Sequence, residues 1–180
     1  MIVLSKKLIT RAMIVLLVLM ASGVFVLYAS GGSVQVLGKK DDIPIYSVKT
    51  TNKQVSLTFD AAWGTDLTAK LLDIFDKYNI KVTFFVTGMW ANKNPEVLKE
   101  IVRRGHEVGS HSYTHKDMVK MSDAEAVEEL TKTADTFERI TGMRPTVYRA
   151  PYGSWNTKLV DIVGREQYLF IQWDVEALVI

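Results

Sequence analysis

His111 and His115 stand four residues apart in Gly109-Ser110-His111-Ser112-Tyr113-Thr114-His115, so two of the chain's three histidines share one short segment. Imidazoles at that spacing face the same way on a helical turn, or from a strand end into a turn, and can grip one divalent cation. Upstream, Asp60 closes the apolar run Val55-Ser56-Leu57-Thr58-Phe59. A carboxylate there is costly unless it is paired, ligated, set at a cleft or used as an N-cap. Downstream, Arg149 precedes Ala150-Pro151-Tyr152-Gly153. Pro151 fixes φ, Gly153 permits a tight turn, and such a turn can aim backbone N–H groups into a cleft. Two imidazoles, a carboxylate and an arginine are the parts of a metal-assisted hydrolase. With no cysteine in the chain, disulfides and thiolate ligands are excluded, and any metal is held by imidazole and oxygen. Trp173 reads either as core or as a sugar-stacking ring. Asp66 reads as the first turn of a helix or a fallback ligand, and His106 as a surface or strand-edge residue.

These residues need elements to hold them together. Val55–Asp60, Lys81–Val86, Glu107–His111, Val147–Arg149 and Tyr168–Trp173 read as strands from their β-branched and aromatic content. Asp66–Tyr78 carries an apolar stripe of helical period, and Pro95 after Asn94 opens a second helix reaching Arg104. Ser122-Asp123-Ala124-Glu125 fits a capping box for a helix to about Ile140, and Asn156–Glu166 is a fourth. Strand–helix alternation with short connections predicts α/β architecture, either a parallel sheet or a (β/α) barrel. Asp60, His111, Arg149 and Trp173 all fall where strands end, the active-site face of such barrels. Five strands are too few to close one, and the uncharged Tyr168–Trp173 as the last strand is expected to leave an open edge.

Thr58-Phe59-Asp60, His111-Ser112-Tyr113-Thr114-His115 and Arg149-Ala150-Pro151-Tyr152-Gly153, in that order, resemble the motifs of polysaccharide deacetylases with the NodB-type catalytic domain, carbohydrate esterase family 4. The form Phe59-Asp60-Ala61-Ala62-Trp63-Gly64 is similar to a branch associated with sporulation. The resemblance implies a distorted (β/α) barrel that hydrolyses N-acetyl groups on a cell-wall amino sugar of peptidoglycan or a related polysaccharide. It further implies a divalent metal, zinc or similar, on His111 and His115, with Asp60 as general base oriented by Arg149. The backbone N–H of Tyr152, in the turn at Pro151, would serve the oxyanion, and Trp173 would lie by the substrate. The chain departs from the family pattern in three places. Ala61 stands where the family has an aspartate ligand, which implies weak metal binding. Val179-Ile180 replace an Asp-Trp pair, and the later Leu-x-His with its general acid does not occur. A C-terminally incomplete domain is therefore expected, and an inactive glycan-binding or truncated member is the alternative.

The N-terminal part is of another kind. No charge occurs between Arg11 and Lys39, and residues 12–30 are long enough to cross the ~30 Å hydrocarbon layer as a helix. Lys6, Lys7 and Arg11 before that run predict a cytoplasmic 1–11, a membrane anchor or signal segment at 12–30, and the remainder outside the membrane. Residues 31–52 then read as a linker, in which Ile43-Pro44-Ile45-Tyr46 can form an edge strand, and 53–180 as the deacetylase domain. The first 40 residues hold five of the 22 bases and no acid, leaving 17 bases against 20 acids, a formal −3, in the rest. That balance gives no footprint for nucleic acid. Nothing in the sequence specifies a protein partner.

Overall fold

Five short parallel strands in consecutive order organise the chain, each followed by chain that packs back on the sheet. The structure, a computed structural model, describes residues 43–176. The strands are β1 (Thr58–Ala61), β2 (Thr83–Val86), β3 (Glu107–Ser110), β4 (Val147–Tyr148) and β5 (Leu169–Phe170), ordered β1-β2-β3-β4-β5. In register, Asp60 lies opposite Phe85, Val86 opposite Ser110, and Ser110 opposite Tyr148. Every residue of β2, Thr-Phe-Phe-Val, is buried. A run without alternation suits a central parallel strand covered on both faces.

The helices are α1 (Thr68–Tyr78), α2 (Gly88–Lys93), α3 (Pro95–Arg103), α4 (Asp123–Thr141) and α5 (Thr157–Arg165), with 3₁₀ turns at Met118–Lys120 and Pro151–Gly153. Their ends follow local chemistry. Ser122 and Glu125 form both halves of the capping box of α4, and Gly142 closes that helix at φ 77°. The Asn156 side chain accepts the Leu159 N–H at the start of α5 at 2.8 Å. Two apolar clusters result. One gathers Leu72, Phe75, Phe84, Trp90 and Phe137; the other gathers Leu130, Tyr148, Leu159, Ile162 and Phe170.

Four expectations are corrected by the structure. Helix α2 occupies a stretch with no helical stripe. It forms because the Thr87 side chain caps the Trp90 N–H and because Trp90 and Ala91 bury themselves in the first cluster. The strands are shorter than the runs suggested, since only part of each finds a ladder partner, and β1 is shifted so that it begins at Thr58 and ends at Ala61. The edge beyond β5 is not bare. Ile45 bridges Ile171 in parallel, donating its N–H to the Phe170 carbonyl at 2.7 Å and accepting from Gln172 N–H at 2.8 Å. The edge strand foreseen at Ile43–Tyr46 thus shrinks to one bridge, and part of the stretch read as linker joins the sheet. Closure into a barrel is not seen among the described residues, where β1 pairs with β2 alone. Among those residues no helix is long and apolar enough to cross a membrane. The apolar run at 12–30 and the Val179-Ile180 pair lie outside them.

His106 is the fourth correction, because it is buried and not at the surface. Its ring stands edge-on to Phe75 and Phe84, with centroids 5.6 and 5.8 Å away, and its Nδ1 accepts the Val82 N–H at 3.3 Å. Burial first, then the Lys81 ammonium, holds its pKa below the ordinary 6.5. The unfolded chain binds this proton at a higher pH than the folded one, so the stabilisation is complete above the ordinary value and is lost as pH falls through the depressed folded one. Urea unfolding between about pH 7 and 5 should show stability falling with acid, by at most about 1.4 kcal/mol per pH unit for each such histidine. His106→Gln should flatten that fall; an unchanged slope would remove His106 as its source.

Candidate active site

The C-terminal ends of the strands converge on a cleft of about 420 Å³, floored by Asp60, His111 and His115 and rimmed by Trp63, Tyr152 and Trp173. Strand alternation decides which side chains reach it. Phe59 and Ala61 pack against the Leu72 cluster, whereas Asp60 and, past the strand end, Ala62 line the cleft. The loop behind β1 is tied by the Trp90 indole N–H, which donates to the Gly64 carbonyl at 2.6 Å. Trp63 is thereby left 81% exposed, with its ring 5.8 Å from that of His115.

His111 directly follows β3 and is 2% exposed. Its Nδ1 lies 2.9 Å from the Arg149 carbonyl oxygen, which can only accept, so Nδ1 carries the proton and Nε2 the lone pair. That Nε2 faces Asp60 Oδ2 at 3.7 Å. Burial pushes the His111 pKa below 6.5, against the pull of the Asp60 charge, and the ring is held in the neutral form that ligates metals. The His115 ring stands 5.0 Å from His111 at an interplanar angle of 68°, and its buried Nδ1 has no partner among the described residues. The loop joining them is strained. Ser112 and His115 adopt φ of 64° and 61°, each costing about 1–3 kcal/mol for a residue other than glycine.

Arg149 is 3% exposed, and its Nη1 donates to Asp60 Oδ1 at 2.8 Å. The guanidinium lies over Phe85 at 4.0 Å and near the Trp173 ring at 5.5 Å. Trp173 can come this close because residue 153 is glycine; a Cβ there would meet the indole at 2.8 Å. Pro151 is buried in the turn, while Tyr152 takes φ 62° and stands 71% exposed, its ring 4.9 Å from His115. So the structure gathers Asp60, His111, His115, Arg149, Pro151, Tyr152 and Trp173 at one strand-end face. Three further residues there were not singled out for the site from sequence. Ala62 and Glu176 line the cleft, and Trp63, quoted only as part of a motif, supplies one rim.

The donors suit a weak cation site better than a catalytic one. His111 Nε2 and the His115 ring, whose Nδ1 has no hydrogen-bond partner among the described residues, provide two imidazoles. Yet no group of three His, Asp or Glu side chains that could hold a metal ion occurs among the described residues. A catalytic zinc takes three protein ligands. Asp60 is already engaged by Arg149, and the alanine at 61 offers no oxygen.

The comparisons with known proteins agree with this arrangement. A peptidoglycan-N-acetylglucosamine deacetylase of Listeria monocytogenes is 34% identical over 148 residues, covering 82% of this chain and 31% of the relative. A peptidoglycan-N-acetylmuramic acid deacetylase of Bacillus subtilis is 36% identical over 130 residues, covering 72% and 27%. Among solved structures, a family 4 carbohydrate esterase pseudoenzyme from Bacillus anthracis superposes with TM-score 0.71 at 35% identity, covering 74% of this chain and 47% of that one. A mutant of that pseudoenzyme with restored enzymatic activity gives TM-score 0.71 at 37% identity, with coverage of 74% and 49%. The chain thus spans less than half the length of these relatives. Residues 47–171 match the family model for polysaccharide deacetylase. With that span and these identities, the chain belongs to the polysaccharide deacetylase family.

Proposed function

We propose that this chain is a deacetylase domain for N-acetylated amino sugars of peptidoglycan or a related cell-wall polysaccharide, with hydrolysis held low by alanine at position 61. The observation that carries this reading is Asp60, placed between the Arg149 guanidinium at 2.8 Å and His111 Nε2 at 3.7 Å on the cleft floor. Arg149 keeps the carboxylate aimed through a charge-assisted hydrogen bond. Asp60 takes a proton from the attacking water, a role worth about 10²–10⁴-fold in such reactions. The Tyr152 N–H, in the turn begun by Pro151, stabilises the oxyanion, and Trp63, Tyr152 and Trp173 offer ring faces to the sugar. A divalent ion such as zinc, when held by His111 and His115, would polarise the acetyl carbonyl and acidify the water.

The consecutive parallel order of β1 to β5 supports reading them as the first part of a distorted (β/α) barrel. From the charge pattern, residues 12–30 anchor the chain in a membrane with residues 53–180 outside the cytoplasm. Alkaline extraction of membranes and protease accessibility test both. The Phe59–Gly64 form supports a role in sporulation, which expression timing tests.

A second reading, a glycan-binding domain without turnover, is favoured by Ala61 and by the exposure of Trp63 and Tyr152. Acetate release from N-acetylglucosamine oligomers with zinc present, measured beside oligomer binding, separates the two. Release that Asp60→Asn abolishes supports hydrolysis. Equal binding by both proteins without release supports the second reading, and neither release nor binding would sink both.

A further inference from the structure

We propose that Glu129 is a positioning residue for the histidine pair, holding the loop that presents His115 opposite His111. The inference rests on reading that pair as the cation grip. Glu129 lies in α4, outside the strand-end cluster, and its carboxylate reaches into the loop from behind. Oε2 accepts the N–H of Tyr113 and the N–H of Thr114, both at 2.8 Å, and Oε1 accepts the Thr114 hydroxyl at 2.9 Å. Two consecutive amides converging on one carboxylate oxygen resemble an N-cap turned outward, a charge-assisted arrangement with little angular freedom.

The opposite side of the loop is held by α2. Gly88 N–H donates to the Ser112 carbonyl and Met89 N–H to the Tyr113 carbonyl, both at 3.0 Å. Gly88 has no room for a side chain, since a Cβ there would meet the Tyr113 ring at 2.2 Å. The Lys132 ammonium, from the same helix as Glu129, covers that ring at 4.4 Å. Within the loop, His115 N–H donates to Ser112 Oγ at 3.0 Å. The carbonyls therefore belong to α2 and the amides to α4.

This division matters because the two imidazoles are fixed differently. His111 is set by its strand and by the Arg149 carbonyl. His115 lies in the left-handed region, as Ser112 does, and its ring is placed by the loop between the flanking Trp63 and Tyr152 rings, with no backbone carbonyl fixing it as His111 has. Releasing the Tyr113 and Thr114 amides lets φ at Ser112 and His115 relax, and the two rings part. A carboxylate is needed for its reach and its two acceptors more than for its charge. Glutamine keeps both: its carbonyl accepts the two amides, and its NH₂ faces the Thr114 hydroxyl, which turns to accept.

The test uses the full chain in detergent, comparing wild type with Glu129→Ala, Glu129→Gln and Glu129→Asp. Zinc affinity is read by calorimetry, and contact between the His111 and His115 rings by nuclear Overhauser effects. Glu129→Ala is expected to lose the inter-ring signal and to weaken zinc binding about 10- to 100-fold, the range for groups that orient metal ligands. Glu129→Gln should restore both, which a general loss of stability would not predict. Should the alanine variant not fold, Glu129→Asp, one methylene too short, is expected to lose the inter-ring signal in a folded protein. Retention of that signal and of zinc affinity in Glu129→Ala, or in Glu129→Asp where only the latter folds, overturns the inference. If wild type binds no zinc yet the inter-ring signal still depends on Glu129, the metal reading fails and the positioning role stands.

Discussion

Ala61→Asp is expected to tighten zinc binding by on the order of 100-fold or more. Groups that merely orient metal ligands are worth about 10- to 100-fold in affinity, and a third directly bound oxygen should reach at least the top of that range. The substitution has a cost. Ala61 packs beside the Leu72 and Phe75 cluster, where a carboxylate without a partner costs more than an unpaired neutral polar group, for which the loss is about 1–3 kcal/mol. Thermal unfolding should therefore show a distinctive pattern. The variant should melt below wild type without zinc and rise steeply with it, because binding to the native state alone stabilises by RT ln(1 + [L]/Kd). Wild type should respond little at the same concentrations. Ala62→Asp is the discriminating partner, since Ala62 lines the cleft and Ala61 does not. If only Ala62→Asp gains affinity, the vacant ligand position is one residue later than the motif comparison implies. Equal zinc binding by wild type and both variants would end the case for a missing third ligand.

Arg149→Met is expected to destabilise the fold by about 2–3 kcal/mol, the upper range for a hydrogen bond to a charged group. Methionine retains much of the volume between Phe85 and Trp173 but removes the 2.8 Å bond to Asp60. The loss stays below that of a fully buried pair, because the Asp60 side chain is 38% exposed and regains water. In an Ala61→Asp background that releases acetate, Arg149→Met should also lower the rate about 100-fold, as small displacements of a reacting group do. Arg149→Lys separates the two effects: it keeps the charge but cannot repeat the fixed fork of the guanidinium. Full activity in Arg149→Lys would show that charge alone is required. Full activity in Arg149→Met would remove Arg149 from the site.

What the sequence determined by itself is local. Ser122 with Glu125, Gly142 and Asn156 announce helix ends because a cap binds backbone three or four residues away, and Pro95 does so because its fixed φ and missing N–H suit a first helical position. The strand ends near Asp60, His111 and Arg149 were legible to within a residue for a similarly local reason, as Asp60 and Arg149 stop apolar runs and His111 follows Gly109-Ser110. Consecutive order then left few ways to pair the strands. The tertiary structure decided whatever depends on partners remote in the chain. His106 looks like a surface residue until Phe75 and Phe84 close over it. Ile43–Tyr46 can be read as an edge strand, but its length and the edge it joins are set only by the chain at β5, more than a hundred residues later, which offers Ile45 a single bridge. Nothing in the acidic run of α4 distinguishes Glu129 from Glu128; only the packing of that helix against the histidine loop does. The same is true of Ala61 and Ala62, which differ in no chemical property. Strand geometry and the bend after β1 turn one toward the core and the other toward the cleft.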